Sequence, residues 1–233
     1  REKTRQLRQR PQIATKLITR SGYHHCLAQG LCIVEPMIEQ RIQQQFIDSA
    51  DLKYQAAQTL ARPIADAVQA LLACVTSGGK ILVCGSGVSA TDAQQFAACC
   101  VAGFERERPE LAAVALCTDG ALLTIGGGDA TQQFARQVRA LGQTGDLLVV
   151  LSTSGNDPSV LGAVQAAHER DMSVVALTGR LGGGLANLLR ETDVCISVPH
   201  DRDARLREVH TLVLNCLSDG MDAQLFGEQE VLS

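Results

Sequence analysis

The sequence predicts an α/β domain built on a doubly wound, five-stranded parallel sheet with helices ahead of it, and three observations predict it. Apolar runs such as Leu147-Leu148-Val149-Val150-Leu151 and Val174-Val175-Ala176-Leu177 show no polar alternation. Strands of that kind are covered on both faces, as in a parallel sheet between helix layers. These runs alternate with helical periodicity from residue 80 onward, and a strand that returns through a helix joins its neighbour in parallel. Two turns rich in Gly and Ser each follow an apolar strand and open a helix, which places them at the carboxyl edge of the sheet, where such folds take ligands.

Residues 1–36 carry seven Lys or Arg against Glu2 and Glu35, a net of +5 in a chain of net charge −4, which leaves −9 on the rest. With little apolar periodicity, they are expected to be a disordered basic extension translated upstream of a start at Met37. The domain is expected over 37–233, opening with helices over 38–77 on which Ile42, Phe46, Leu60, Ile64, Val68 and Leu71 follow the helical repeat. Pro63 is expected to divide this segment in two, since proline suits a first helical turn better than a helix interior. The apolar faces of these helices exceed what one small sheet covers and predict packing against another subunit. The α/β core, 80–200, then reads strand 80–84, helix 89–102, strand 112–117, helix 130–141, strand 146–151, helix 157–169, strand 173–178 and strand 193–198. A last helix covers 203–226. Asp129 reads as an N-cap and Gly182-Gly183-Gly184 as a flexible turn.

Composition narrows the function classes. No apolar run approaches the roughly 18 residues needed to cross a bilayer, so the protein is expected to be cytoplasmic, away from membranes. Nine Cys sit mostly in apolar segments without C-x-x-C spacing and read as reduced core residues. Aromatic residues are 3% with no Trp, and the net charge is acidic, which argues against strong direct binding of nucleic acid.

The two turns carry the chemistry. Gly85-Ser86-Gly87 and Ser152-Thr153-Ser154-Gly155-Asn156 each place backbone N–H groups, hydroxyls and a helix N-terminus at one spot, an arrangement that favours a phosphate or carboxylate. If the two strands lie side by side, the turns face one ligand. The Gly-Ser-Gly spacing is neither a P-loop nor a dinucleotide fingerprint.

Taken together, Gly85-Ser86-Gly87-Val88-Ser89, Arg106-Glu107-Arg108-Pro109, Ser152-Thr153-Ser154-Gly155-Asn156, Leu177-Thr178-Gly179 and Arg207-Glu208-Val209-His210 resemble the sugar isomerase (SIS) domain family. Within it the chain resembles the branch that holds phosphoheptose isomerase and the non-catalytic DiaA-like proteins. The resemblance implies a flavodoxin-like fold, a homotetramer and a sugar-phosphate ligand. By position, Ser86, Ser89, Asp119, Ser152, Thr153 and Ser154 would bind that ligand. The isomerases carry a His/Glu/Gln/His set that can hold zinc; the matching positions here are Gln95, Cys99, Arg207 and Asn215. Amides transfer no proton near neutral pH and Arg stays charged, so this reading expects no catalytic residues, no metal and no cofactor. The isomerases also place a Ser where this chain has Asp157, and a carboxylate there would repel a dianion.

DiaA-like segments, Gln137 to Gly142, Asn215-Cys216-Leu217 and the closing Leu225-Phe226, point the resemblance to a non-catalytic adaptor. It would bind the DnaA initiator through an exposed Leu225-Phe226 patch and promote its assembly at the replication origin. The alternatives are a phosphoheptose isomerase, converting sedoheptulose 7-phosphate to D-glycero-D-manno-heptose 7-phosphate, and a sugar-phosphate sensor.

Overall fold

In this computed structural model residues 23–116 and 129–227 are described, with side chains from Met37 onward. The described residues up to Asp48 and those from Ser49 on fall into two units. The first helix, α1 (Tyr23–Thr76), starts inside the segment expected to lack structure and is unbroken at Pro63, which corrects the expected division. A mid-helix proline costs about 3 kcal/mol. Here Ala56, Leu60, Ala67, Val68 and Leu71, before and after it, are buried in one core, so packing holds both halves in register. Thr59, whose carbonyl loses its partner, lies on the exposed side, where water can satisfy it.

From there the chain alternates: β1 (Ile81–Gly85), α2 (Ser89–Ala102), β2 (Ala113–Ala115), a 3₁₀ turn (Ala130–Gln132) leading into α3 (Gln133–Leu141), β3 (Leu147–Ser152), α4 (Pro158–Glu169), β4 (Ser173–Thr178), α5 (Gly183–Leu188), β5 (Val194–Ser197) and α6 (Asp203–Phe226). The five strands form one sheet in the order β2-β1-β3-β4-β5, with every pair parallel. Successive side chains of a strand point to opposite faces, and β3 shows the result: Leu147, Val149 and Leu151 join the core under α1, α2 and α6, while Leu148 and Val150 join the one under α3 and α4. Asp129 accepts from the Thr131 N–H and caps the 3₁₀ turn, as its place in the sequence predicts. Gly183 and Gly184 begin a short helix, where the sequence predicted a flexible turn. Among the described residues no helix is long and apolar enough to cross a membrane.

The Arg106-Glu107-Arg108-Pro109 segment ties α2 to α6. Arg108 donates to the Cys99 and Cys100 carbonyls near the end of α2 and pairs with buried Asp222 at 2.8 Å. Its guanidinium adds a second donor to each carbonyl, since Cys99 already accepts from the Gly103 N–H and Cys100 from the Leu111 N–H.

His210, on α6, is fully buried, with Nε2 donating to the Thr178 carbonyl at 3.3 Å. It is a core residue. Burial disfavours the imidazolium and lowers its pKa from 6.5 to about 4. Between those values the unfolded chain binds a proton that the folded chain refuses, so stability rises with pH across that window and falls on acidification. Denaturant unfolding at pH 7 and pH 4.5 should show the wild type losing up to about 3 kcal/mol from this residue. His210→Gln should lose less, and equal losses in the two proteins would remove His210 as the cause.

Candidate functional site

The site begins with strand pairing. β1 and β3 are neighbours, and Gly85 stands opposite Leu151, so the two turns leave the sheet edge level with one another, as the sequence required for a shared ligand. Ser89 opens α2 and Ser152 closes β3, and both are buried. The Ser152 hydroxyl accepts from the Gly155 N–H at 3.1 Å and the Ser154 hydroxyl accepts from the Asn156 N–H at 3.2 Å, so the second turn is braced by its own side chains. Thr153 and Ser154 line a cleft of about 310 Å³ whose far wall includes Arg180 and His200. Asp119, placed with the ligand by resemblance, lies outside the described residues.

Asp157 joins the two turns. One carboxylate oxygen accepts from the Ser86 hydroxyl at 2.6 Å, and the other accepts from the Ser159 N–H at 2.9 Å, the Ser159 hydroxyl at 2.5 Å and the Val160 N–H at 3.3 Å. Burial would raise its pKa, but these donors outweigh burial and hold it below the usual carboxylate range. Sequence reasoning placed Asp157 at the start of a helix but missed its reach to Ser86, since nothing in the order of residues shows a contact across 71 positions.

A second set forms along α2 and α6. Gln95 and Cys99 face Thr211 and Asn215 around a shallow depression, and Arg207 stands one turn before Thr211 on the same stripe of α6. The four positions matched to the isomerase set thus come together. Sequence reasoning missed Asp92, one turn before Gln95 on α2 and 8% exposed. Its carboxylate lies 3.9 Å from Arg207 Nε and accepts from the Thr211 hydroxyl at 3.4 Å. Burial raises its pKa, and Arg207 and Thr211 only partly offset the rise. The Asp-x-x-Gln spacing on a helix facing another chemistry-bearing helix was the signal available.

Cys99 is no ready thiolate: burial raises its pKa above the ordinary thiol value despite Arg108 nearby. Zinc does not fit this set. Two amides, one thiol and a guanidinium give too few of the donors zinc favours, and Arg207 brings a positive charge to the place. Among the described residues no three His, Cys, Asp or Glu cluster as metal ligands.

The closing Leu225-Phe226 is not the free patch the sequence suggested. Both residues are half-buried, and the Phe226 ring lies 6.0 Å from the Arg106 guanidinium and 5.9 Å from that of Arg108. Arg106 also donates to the Gly227 carbonyl at 2.7 Å. Two guanidinium groups within reach of the ring give Phe226 intrachain partners, supplied by a loop about 120 residues away.

A parallel sheet with paired anion-type turns at its carboxyl edge defines an α/β domain that takes its ligand at the strand ends. The SIS domain family matches residues 45–179, and the chain belongs to that family. It is 58% identical over 197 residues to phosphoheptose isomerase of Methylibium petroleiphilum, spanning 84% of this chain and 98% of that one. Its fold is similar to phosphoheptose isomerase GmhA from Neisseria gonorrhoeae, with TM-score 0.75 and 47% identity, covering 80% of this chain and 99% of that one. A phosphoheptose isomerase from Francisella tularensis gives TM-score 0.75 and 42% identity over 78% of this chain and 97% of that one. These relatives overturn the expected DiaA-like adaptor for DnaA: they match nearly end to end and carry an isomerase name, the reading held as the alternative.

Gly155 is the residue on which the cleft turns. Its φ is +65°, and a Cβ built there would collide with the Gly182 carbonyl oxygen from the neighbouring strand's loop. Gly155→Ala should destabilise the protein by about 2 kcal/mol or more, combining left-handed strain with the collision. Thermal unfolding checks this, and a variant as stable as wild type would show that the two loops part freely.

Proposed function

We propose that this chain is a sugar-phosphate isomerase of the phosphoheptose type, acting on sedoheptulose 7-phosphate. The supporting observation is that the β1 and β3 turns stand level across a parallel pair in a chain 58% identical to a phosphoheptose isomerase over 98% of that protein's length. The phosphate would lie against Ser86, Ser89, Ser152, Thr153 and Ser154, with the sugar carbons directed toward α2. The exposed Ile38, Ile42 and Phe46, four residues apart on α1, support a homotetramer.

Interconverting the ketose and the aldose moves one proton from C1 to C2 and one hydroxyl hydrogen from O1 to O2, through an enediol. The carbon proton needs a base whose pKa lies near the working pH. Gln95 and Asn215 cannot serve, and Cys99 holds its proton, which leaves Asp92 as the candidate, its pKa already raised by burial. Arg207, 3.9 Å from Asp92, would face the oxygen that gains charge in the enediolate. The amides at the other positions favour one second reading, a sugar-phosphate sensor, which predicts binding without turnover.

Purified protein incubated with sedoheptulose 7-phosphate should form the aldoheptose 7-phosphate. Asp92→Asn should lower kcat by about 100-fold or more with a small change in KM, the usual scale for loss of a general base. Ligand-dependent thermal stabilisation with no conversion by the wild type would instead establish the sensor.

A further inference from the structure

The Asp157 carboxylate takes donors from both turns at once, Ser86 on one side and Ser159 and Val160 on the other. The N-terminus of a twelve-residue helix points at it, and that helix supplies two N–H donors and the Ser159 hydroxyl. Ser86 donates to it from the opposite turn at 2.6 Å. An N-cap requires only the donors of its own helix. The Ser86 contact goes further, because Ser86 belongs to the first turn and would otherwise be free to donate to a bound phosphate. The negative charge is felt nearby, where Asp157 adds to the rise in the Cys84 pKa.

We propose that Asp157 is an internal competitor for the ligand's phosphate, a specificity-determining residue that weakens the cradle's hold on a dianion and leaves the sugar part of the ligand to decide what binds. This rests on the reading of the cradle as a sugar-phosphate site. A phosphate entering between the turns must take Ser86 from Asp157 and sit beside a carboxylate that remains ionised at neutral pH. Phosphate therefore adds little to affinity in this chain, and a ligand gains entry mainly through its hydroxyls.

The test compares sedoheptulose, sedoheptulose 7-phosphate and inorganic phosphate by titration calorimetry on the full chain, in the wild type, Asp157→Asn and Asp157→Ser. Asn keeps the cap and an acceptor for Ser86 while removing the charge; Ser supplies a donor as well. In the wild type the phosphate group should tighten sugar binding by less than about 10-fold, and in either variant by about 100-fold, the scale of removing one like charge at contact distance. If the variants fold poorly, the wild-type comparison decides: sedoheptulose 7-phosphate binding more than about 100-fold tighter than sedoheptulose overturns the proposal. Unchanged phosphate affinity in folded variants overturns it too, even where the wild type turns over sedoheptulose 7-phosphate. Tighter phosphate binding in the variants without turnover by the wild type upholds it while the isomerase reading fails.

Discussion

The structure depends on the parallel pairing of β1 with β3. Each strand is buried on both faces and each ends in a turn that cannot be buried without partners for its N–H groups. Because Gly85 lies opposite Leu151, the turns end at one height and their donors converge. A shift of one residue would turn Leu147, Val149 and Leu151 toward the wrong helix layer, so the hydrophobic pattern that fixes the sheet also fixes the cradle.

What fills the cradle separates this chain from a simple phosphate site. Both turns carry hydroxyls, and several are already engaged: Ser152 and Ser154 with their own loop, Ser86 with Asp157. The helix that follows the first turn also carries Asp92, Gln95 and Cys99, so one rigid element joins the first turn to Asp92, the side chain proposed for proton transfer. On α6, Arg207, Thr211 and Asn215 complete that surface, while His210, a few residues along, turns into the core and takes no part.

Much of this was legible in the residues. Continuous apolar runs marked β1, β3 and β4, since burial on both faces leaves no polar alternation to confuse them, and the half-buried edge strands β2 and β5 followed from their place in the strand-helix alternation. The serine-rich turns were legible because three hydroxyls between a strand and a helix have few structural uses. Where sequence reasoning failed, distant contacts were the cause. Pro63 was expected to divide the segment into two helices, but the packing of Leu60 and Val68 in one core carries α1 through it. Phe226 was expected to be free because its partners, Arg106 and Arg108, come from a loop far away in the chain. The weight given to missing His and Glu residues led to a non-catalytic adaptor, while Asp92, near the same positions, went unweighed.

The central claim is that the β1 and β3 turns form one anion site. Crystals soaked with sedoheptulose 7-phosphate test it most directly. The account predicts phosphate density between Ser86–Ser89 and Ser152–Ser154, with the sugar reaching toward Asp92. Density for the phosphate beside Arg180 and His200, with the space between the turns still held by Asp157, would contradict it.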